Sequence, residues 1–321
     1  MDRGQILGIH HITAIAENPQ QNIDFYSGVL GLRLVKITVN FDDPGSYHLY
    51  YGDAVGHPGT ILTFFAWPGA RRGRRGNSQV TSTSFAIRQG SIPFWIDRFA
   101  MKGIAFEPAI ERFRMQVITF FDGDGLQLEL IESPNADARY AWEEETDVPA
   151  EFAIRGFHSA TLCEMGYERT ADLLTKTMGF RLLGQEQNRF RYELDGEGPG
   201  KTVDVVCMPE GAEGRVAVGT VHHIAWRTAD DAQQREWLSE LNSLGYDLSP
   251  VMDRVYFHSI YYREPGGILF EIATDPPGFT FDEPKETLGS GLKLPAWLEP
   301  HRNRIKAILP PISRRATGVL R

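Results

Sequence analysis

The chain has 321 residues, of which 42% are hydrophobic and 23% are charged, and its formal net charge is −9 at pH 7. This length and composition are typical of a globular protein with a substantial core. The negative charge argues against a nucleic-acid-binding protein, because phosphate recognition depends on lysine and arginine.

No charged and apolar leader opens the sequence, and no apolar run is long enough to cross a bilayer. We therefore expect a cytoplasmic protein without a membrane partner. The two cysteines, Cys163 and Cys207, lie in apolar, strand-like runs. Buried thiols are favoured over a disulfide in that setting.

Four helix-like stretches each end in a glycine that is followed by an apolar residue. These glycines are Gly31, Gly103, Gly179 and Gly245. Glycine just beyond a helix adopts the left-handed conformation without penalty, and the apolar residue after it begins a strand. Turns such as the start of "EPGGILFEI" then lead into β-rich runs. The pattern predicts four modules of one strand, one helix and three strands (βαβββ). They cover residues 5–67, 79–134, 152–209 and 218–275.

Two helix starts and three segments outside the modules complete the prediction. Asn18 and Pro19 are expected to begin the first helix, and Asp230 lies near the start of the fourth.

The basic run "ARRGRRGN" is expected to be a solvated loop, with a phosphate-binding patch as the alternative. The stretch "PNADARYAWEEETDVPAE" is predicted to link two pairs of modules. The proline-rich tail is expected to cover an opening rather than only to decorate the surface. The resulting domains are 1–135, 136–275 and 276–321.

Alignment of the modules makes the histidines informative. The stretches "GIHHITAI" and "VHHIAWR" occupy equivalent first strands, and each contains a His-His doublet. The column of His11 contains Ser84, Ser159 and His223 in the later modules. The strand after the turn gives a second column, which contains Phe64, Glu129, Val205 and Glu271. Two imidazoles and one carboxylate that leave the other coordination positions of the metal open form the facial triad of non-haem Fe(II) oxygenases.

The triad of His11, His223 and Glu271 requires modules one and four to pair, which leaves modules two and three to pair with each other. Strand alternation puts the second histidine of each doublet in the site and His10 and His222 on the far face. A single buried histidine is more often a core residue than a ligand. A glutamate within "GILFEIA" nevertheless needs a partner, because an unpaired buried carboxylate is strongly disfavoured. The combination favours metal binding.

These stretches resemble the vicinal oxygen chelate superfamily, which includes glyoxalase I, fosfomycin and bleomycin resistance proteins, and extradiol dioxygenases. The segments "IHHITAIAENPQQNIDFY", "YYREPGGILFE" and "GFTFDEPKETLG" are most similar to two-domain ring-cleaving dioxygenases of hydroquinones, such as dichlorohydroquinone 1,2-dioxygenase. The resemblance implies an α+β fold in which four βαβββ modules form two half-open mixed β-barrels. Modules one and four would build one barrel, and modules two and three the other.

The resemblance also implies a cofactor and residue roles. A mononuclear Fe(II) would be held by His11, His223 and Glu271, and the substrates would be an aromatic diol and O2. Residues that support the metal or contact the substrate would be His10, Thr13, His222, Arg254 and Tyr261. Catalytic roles fall to His222, to Arg254 as a partner for developing negative charge, and to Tyr261 as a proton or hydrogen-bond donor. A rim salt bridge for Arg254 and a simple strand aromatic for Tyr261 are the alternatives. Exposed sheet edges favour a homo-oligomer.

Two other functions stay open on the sequence alone. A glyoxalase-like isomerase or thiol-transfer resistance enzyme uses the same fold, often with a second carboxylate in the fourth ligand position, where this alignment puts Phe64. A metal-free protein that sequesters an aromatic drug is the other alternative. The apolar residue at the fourth ligand position argues against the isomerase or thiol-transfer enzyme. The three intact ligands argue against the metal-free sequestering protein.

Overall fold

The computed structural model describes residues 4–139, 141–196 and 198–313, and this part of the chain forms sixteen strands and five α-helices. The strands are β1 (Ile9–Ala16), β2 (Arg33–Asn40), β3 (Asp43–Gly52), β4 (Ile61–Ala66), β5 (Gln79–Ile87), β6 (Ile110–Arg112), β7 (Met115–Phe121), β8 (Gln127–Glu132), β9 (Phe157–Glu164), β10 (Arg181–Glu186), β11 (Arg189–Glu193), β12 (Thr202–Cys207), β13 (Val221–Thr228), β14 (Met252–Asp253), β15 (His258–Arg263) and β16 (Leu269–Thr274). The helices are α1 (Pro19–Tyr26), α2 (Ile92–Lys102), α3 (Glu168–Asp172), α4 (Asp231–Ser243) and α5 (Arg302–Ile308).

Two of the helices, α1 and α4, begin where a capping side chain satisfies the first backbone N–H groups. The side chain of Asn18 accepts hydrogen bonds from two backbone N–H groups at the start of α1, and Pro19 is its first residue. Asp230 caps α4 in the same way. Both starts agree with the predictions, because a side-chain oxygen here replaces the missing intrahelical acceptor. The third helix differs, since α3 has only five residues before it continues as a π-helical turn, Leu173–Thr177.

The strands form two eight-stranded sheets, each built from two modules. The first sheet has the order β14-β15-β16-β13-β1-β4-β3-β2, and the second has the order β10-β11-β12-β9-β5-β8-β7-β6. Modules one and four therefore meet through the antiparallel pair β1 and β13, and modules two and three meet through β5 and β9. The predicted α+β fold and its module pairing are confirmed. The domain boundaries drawn at 135 and 275 stay a prediction.

A β-bulge recurs at the same place in all four modules. The bulged residues, which the opposite strand skips, are His10 on β1, His222 on β13, Thr81 on β5 and His158 on β9. The residue after each bulge is thus His11, His223, Ser82 or Ser159. The alignment that gave Ser84 as the counterpart of His11 was therefore wrong by two positions, because β5 contains no histidine doublet to mark the position of its bulge in the sequence.

The second column is also corrected by the strand register. Glu271 pairs with Ala225, two residues after His223. The equivalent pairs in the other modules are Thr13 with Thr63, Ser84 with Glu129 and Thr161 with Asp204. Thr63 and Asp204, rather than Phe64 and Val205, occupy this column, while the placement of Glu129 was right. Phe64 and Val205 instead point into the hydrophobic core.

One large hydrophobic core joins the helices to both sheets, and Trp95, Trp226 and Trp237 are among its largest buried side chains. The four arginines of the basic run are exposed, as expected of a solvated loop, and this loop pairs through its backbone with residues 213–218. Both cysteines are free thiols, Cys163 buried and Cys207 half-buried. Among the described residues no helix has the length and apolarity needed to span a membrane.

The described part of the tail, up to residue 313, packs along the outer strand of the first sheet. Lys36 on β2 is fully buried and its Nζ lies 2.6 Å from both Asp282 and Glu283. Phe279 contacts Tyr50 and Tyr256, with ring centroids 5.0 Å apart in each case. The tail therefore supports one wall of the first sheet from outside.

Candidate metal centre

Three ligand-type side chains meet at the middle of the first sheet. His11 lies on β1, His223 on β13 and Glu271 on β16, and all three are buried. Oε2 of Glu271 lies 3.3 Å from Nε2 of His11 and 3.0 Å from Nε2 of His223. The two Nε2 atoms are 3.4 Å apart. Among the described residues this is the only group of three or more His, Cys, Asp or Glu side chains close enough to hold a metal ion.

The donor atoms fit a divalent transition metal. Donors about 2.1 Å from a metal lie about 3.0 Å apart at a right angle and about 3.4 Å apart at a tetrahedral angle, which brackets the observed triangle. Oε1 of Glu271 accepts a hydrogen bond from Ser259, whereas the buried Oε2 has no hydrogen-bond partner. A buried carboxylate oxygen without a partner is costly, and a cation in this triangle would remove the cost. Imidazole and carboxylate donors suit iron, among other metals.

His10 and His222 contact the triad, which corrects the prediction that they lie on the far face. The Nδ1 atoms of His10 and His11 are 2.9 Å apart, and those of His222 and His223 are 2.8 Å apart. The two ring pairs have the same geometry, with centroids 5.1 Å apart and planes nearly perpendicular. Regular alternation would turn these side chains away, but the bulges at His10 and His222 re-aim them.

A cavity of about 350 Å³ opens above the triad. Its walls are largely aromatic and include Phe41, Phe65, Trp67 and Phe257. Of the residues proposed from the sequence to act on the substrate, Thr13, His222, Arg254 and Tyr261 line the cavity, whereas His10 does not. His10 instead packs edge-on against Phe257, with ring centroids 5.0 Å apart.

Arg254 and Tyr261 form one polar side of the cavity. Nε of Arg254 donates to the Tyr261 hydroxyl at 3.2 Å, and its Nη1 donates to Asp42 at 3.1 Å. The ring of Tyr261 lies edge-on to that of His223, with centroids 5.7 Å apart. The rim salt bridge considered for Arg254 is therefore present, but the same guanidinium also reaches the tyrosine beside the triad.

A second polar side was missed by the sequence reasoning. Nε2 of His48 lies 2.7 Å from Oγ1 of Thr63, and its Nδ1 lies 2.9 Å from the Tyr50 hydroxyl. Thr63 in turn lies 3.1 Å from Thr13, which lines the cavity. The strand register makes Tyr50 the counterpart of Tyr261, because Tyr50 pairs with Thr63 as Tyr261 pairs with Glu271. The available signal was the alternation of His48 and Tyr50 on one face of β3.

Burial sets the protonation of these groups. Burial and the nearby His223 lower the pKa of His222 to about 3. Burial also lowers the pKa of His48 well below its usual value. Burial and the charge of Glu271 raise the pKa of Tyr261, although Arg254 opposes this shift. At neutral pH both histidines are therefore neutral and Tyr261 keeps its proton.

The second sheet carries arginines where the first sheet has a metal-type site. Arg112 lies 3.0 Å from Glu129, and Arg191 holds Asp204 with two hydrogen bonds of 2.7 and 2.9 Å. The imidazole positions hold Ser82 and Ser159. Two serines and two arginine-neutralised carboxylates offer no open donor set for a divalent cation.

Comparisons with known proteins agree with this architecture. A family model described as the Glyoxalase/Bleomycin resistance protein/Dioxygenase superfamily matches residues 8–130 and 156–272, which include all three triad residues. MhqO of Bacillus subtilis (strain 168), named as a proposed ring-cleaving dioxygenase, is 49% identical over 96% of this chain and 97% of that protein. A chlorohydroquinone/hydroquinone 1,2-dioxygenase of Sphingobium indicum is 35% identical over 92% of this chain and 93% of that protein. A crystal structure of a proposed dioxygenase from Bacillus subtilis subsp. subtilis str. 168 is 48% identical, with a TM-score of 0.93 over 97% of this chain and 99% of that chain.

Proposed function

Because this chain belongs to the glyoxalase/bleomycin resistance protein/dioxygenase superfamily, we propose that it is an Fe(II)-dependent dioxygenase that cleaves the ring of a hydroquinone-type diol. The observation that carries the proposal is the triangle of two Nε2 atoms and one carboxylate oxygen at the base of an aromatic cavity. The names of the two curated relatives support the reaction and the class of substrate. Cleavage is proposed to be of the extradiol type, next to a hydroxyl-bearing carbon.

Bound Fe(II) would supply neighbouring open positions for a diol oxygen and dioxygen and a path for electrons between them. His11 and His223 would hold it through Nε2 as neutral imidazoles, and Glu271 through Oε2. Each ligand imidazole would then carry its proton on Nδ1 and donate a hydrogen bond to Nδ1 of the preceding histidine. His10 and His222 thereby fix the tautomer and the ring orientation of the ligands.

Arg254 and Tyr261 are proposed to act on the bound diol. The guanidinium of Arg254 is positioned to stabilise negative charge on a diol oxygen near Tyr261. The Tyr261 hydroxyl accepts a hydrogen bond from Arg254 and also interacts with the Ser259 side chain, so its proton would turn from Ser259 towards the substrate when the diol binds. Because the pKa of Tyr261 is raised, this hydroxyl serves as a donor rather than as a base.

The cavity favours a flat aromatic substrate of modest size. Its volume lies near the lower end of the range for small-molecule sites. Phe41, Phe65 and Trp67 offer ring faces and edges for packing, which also exclude water from the triad. Thr13 also lines the cavity, and its hydroxyl lies at the end of a series of hydrogen bonds that runs through Thr63 to His48.

The fourth ligand position separates this proposal from a glyoxalase-like isomerase. Thr63 occupies it, and its hydroxyl is engaged by His48 and Thr13. A neutral, hydrogen-bonded hydroxyl is a poor ligand compared with a carboxylate, so this position is expected to leave the metal open. An isomerase was disfavoured from the sequence because Phe64 would leave the fourth ligand position open, and it remains disfavoured with Thr63 in place of Phe64.

The decisive test is anaerobic titration with Fe(II), followed by oxygen-electrode measurements with a panel of diphenols. We expect one tightly bound iron per chain, and faster O2 uptake with chlorinated or methylated hydroquinones than with catechols. No iron binding would support drug sequestration, and iron binding without O2 uptake would support an isomerase. Faster turnover of catechols would indicate an ordinary catechol dioxygenase.

Variants of the triad link the reaction to the site. His11→Ala, His223→Ala and Glu271→Ala are each expected to abolish iron binding while the protein stays folded, because each removes one of three donors. Glu129→Gln is the matched control, since Glu129 occupies the position of Glu271 in the second sheet. Full iron occupancy in any triad variant, or its loss in Glu129→Gln, would contradict the assignment.

A further inference from the structure

The turn between β14 and β15 contains a strained residue. Val255 has a φ of 68°, and it is the only β-branched residue among the six described non-glycine residues with positive φ. A branched Cβ makes this backbone conformation unfavourable. The backbone N–H of Tyr256 donates to the carbonyl of Arg254 at 2.8 Å, which closes a three-residue γ-turn around Val255. A γ-turn with positive φ at its centre is the rare, strained form.

The residues on both sides of this turn line the cavity above the triad. Arg254 and Phe257 both belong to the cavity wall, and the backbone N–H of Arg254 donates to the carbonyl of Phe257 at 3.0 Å. The ring of Phe257 packs against that of His11, with centroids 4.9 Å apart. The conformation of Val255 therefore sets the path of the backbone between two residues of the cavity wall.

The tail holds the C-terminal side of the turn. The backbone N–H of Gly278 donates to the carbonyl of Tyr256 at 2.9 Å, and the Tyr256 hydroxyl donates to Asp282 at 3.0 Å. These contacts fix Tyr256 from the side that faces away from the cavity. Because Tyr256 is fixed, a change of Val255 to a negative φ would move Arg254.

The side chain of Asp253 holds the N-terminal side of the turn. Its Oδ1 accepts a hydrogen bond from the backbone N–H of Val255 at 2.7 Å. Asp253 is exposed and does not line the cavity. Strained backbone conformations persist only where surrounding contacts hold them. The ion pair of Arg254 with Asp42 is a weak substitute for this contact, because the Asp42 side chain is 64% exposed.

We propose that Asp253 is a positioning residue for Arg254. By accepting the hydrogen bond from Val255, it keeps the strained turn closed and keeps the guanidinium directed at Tyr261 and the diol. This inference rests on the proposed function, in which Arg254 acts on the diol. It adds a residue that touches neither the substrate nor the metal centre.

Three variants test this role through kcat/KM for the diol. Asp253→Ala removes the acceptor, so we expect Val255 to relax and kcat/KM to fall at least about fivefold. Asp253→Asn is the matched control, because it keeps Oδ1 as an acceptor without the charge, and it should stay within about twofold of the wild type. In Asp253→Ala/Val255→Gly the glycine adopts a positive φ without strain, so kcat/KM should return to within about twofold of the wild type. Iron binding should change less than about twofold in all three variants.

A crystal structure of metal-free Asp253→Ala gives a readout that needs neither iron nor turnover. Val255 should have a negative φ there, and Nε of Arg254 should lose its hydrogen bond to the Tyr261 hydroxyl. An unchanged turn, an unchanged kcat/KM in Asp253→Ala, an equal fall in Asp253→Asn, or no recovery in the double variant would overturn the proposed role. A wild-type enzyme that binds iron but takes up no O2 with any diol would instead overturn the ring-cleaving function, and the crystal structure would still decide the role of Asp253.

Discussion

Replacement of Lys36 by methionine should destabilise the protein by breaking a buried ionic anchor between β2 and the tail. Lys36 is fully buried, and Glu283, one of its two partners, is 3% exposed. After the substitution Glu283 keeps only weak contacts, from the backbone N–H of Gly289 at 3.4 Å and the Ser290 hydroxyl at 3.5 Å. A buried carboxylate that loses its cation costs about 3–5 kcal/mol. Asp282 is 25% exposed and remains hydrated, so its loss of a partner adds little.

The double variant Lys36→Met/Glu283→Gln isolates the ionic term. It leaves no unpaired charge at position 283, and it loses mainly the interaction of the Lys36 ammonium with the Tyr256 ring, whose centroid is 5.0 Å away. Such a contact is worth about 1–2 kcal/mol when it is shielded from water. The single variant should therefore be about 2–3 kcal/mol less stable than the double variant.

Urea denaturation monitored by tryptophan fluorescence measures both free energies of unfolding, and limited proteolysis reports whether the tail detaches first. If the tail detaches, Glu283 becomes hydrated, and the loss of unfolding free energy cannot exceed the free energy of tail docking. Rapid proteolytic cleavage after residue 281 would reveal this detachment. A single variant within about 1 kcal/mol of the wild type with a protected tail, or a double variant as unstable as the single one, would refute the reasoning.

Two further predictions concern the bulged histidines and a buried acidic pair. His222→Ala should weaken iron binding about 10–100-fold in anaerobic titration, because it releases the ring of His223. His158→Ala, at the equivalent bulge of the second sheet, should leave iron binding unchanged. Equal losses of iron affinity in both variants would mean that the substitutions disturb the fold in general. Burial and the nearby Glu264 raise the pKa of Glu164 from 4.5 to about 8. The folded state then binds more protons than the unfolded state within this window, so stability falls as the pH rises through it. Glu164→Gln should reduce this fall in urea titrations between about pH 5 and pH 8, and an unchanged slope would exclude Glu164 as its source.

Patterns that depend on composition and local geometry were predictable from the sequence. Glycines such as Gly103, which has φ 67° at the end of α2, mark the helix ends, and the four modules follow from them. The pairing of modules one and four followed from chemistry, because only that pairing joins His11 to His223. The triad itself was identified because two doublets and one buried glutamate recur at equivalent positions.

Features that depend on register could not be predicted in the same way. Strand alternation assumes one residue per step, and each bulge breaks that assumption at the residue before a ligand position. For this reason His10 and His222 were assigned to the wrong face. Phe64 was taken for Thr63 because only the pairing with β1 shows which residue of β4 stands opposite Thr13. The equivalence of Tyr50 and Tyr261 becomes visible only from the pairing of β3 with β4 and of β15 with β16. The ion pairs of Lys36 with the tail join residues about 246 positions apart in the chain, and no local pattern marks such a contact.

The recurrence of the bulge explains how one backbone carries a metal-type site in one sheet and an arginine cluster in the other. Because the bulge is present in all four modules, it belongs to the fold and does not depend on histidine. In modules one, three and four it brings the bulged side chain against the next one, whereas in module two Thr81 donates to the backbone carbonyl of Thr161. Nδ1 of His158 and Oγ of Ser159 lie 3.0 Å apart in the second sheet, and the Nδ1 atoms of the paired histidines lie 2.9 and 2.8 Å apart in the first. A proposed metal ligand and the side chain that contacts it therefore occupy two successive positions, so a His-His doublet supplies both. Conversion of the second sheet into a metal site would require histidines at these positions and also the removal of Arg112, Arg189 and Arg191, which neutralise its carboxylates.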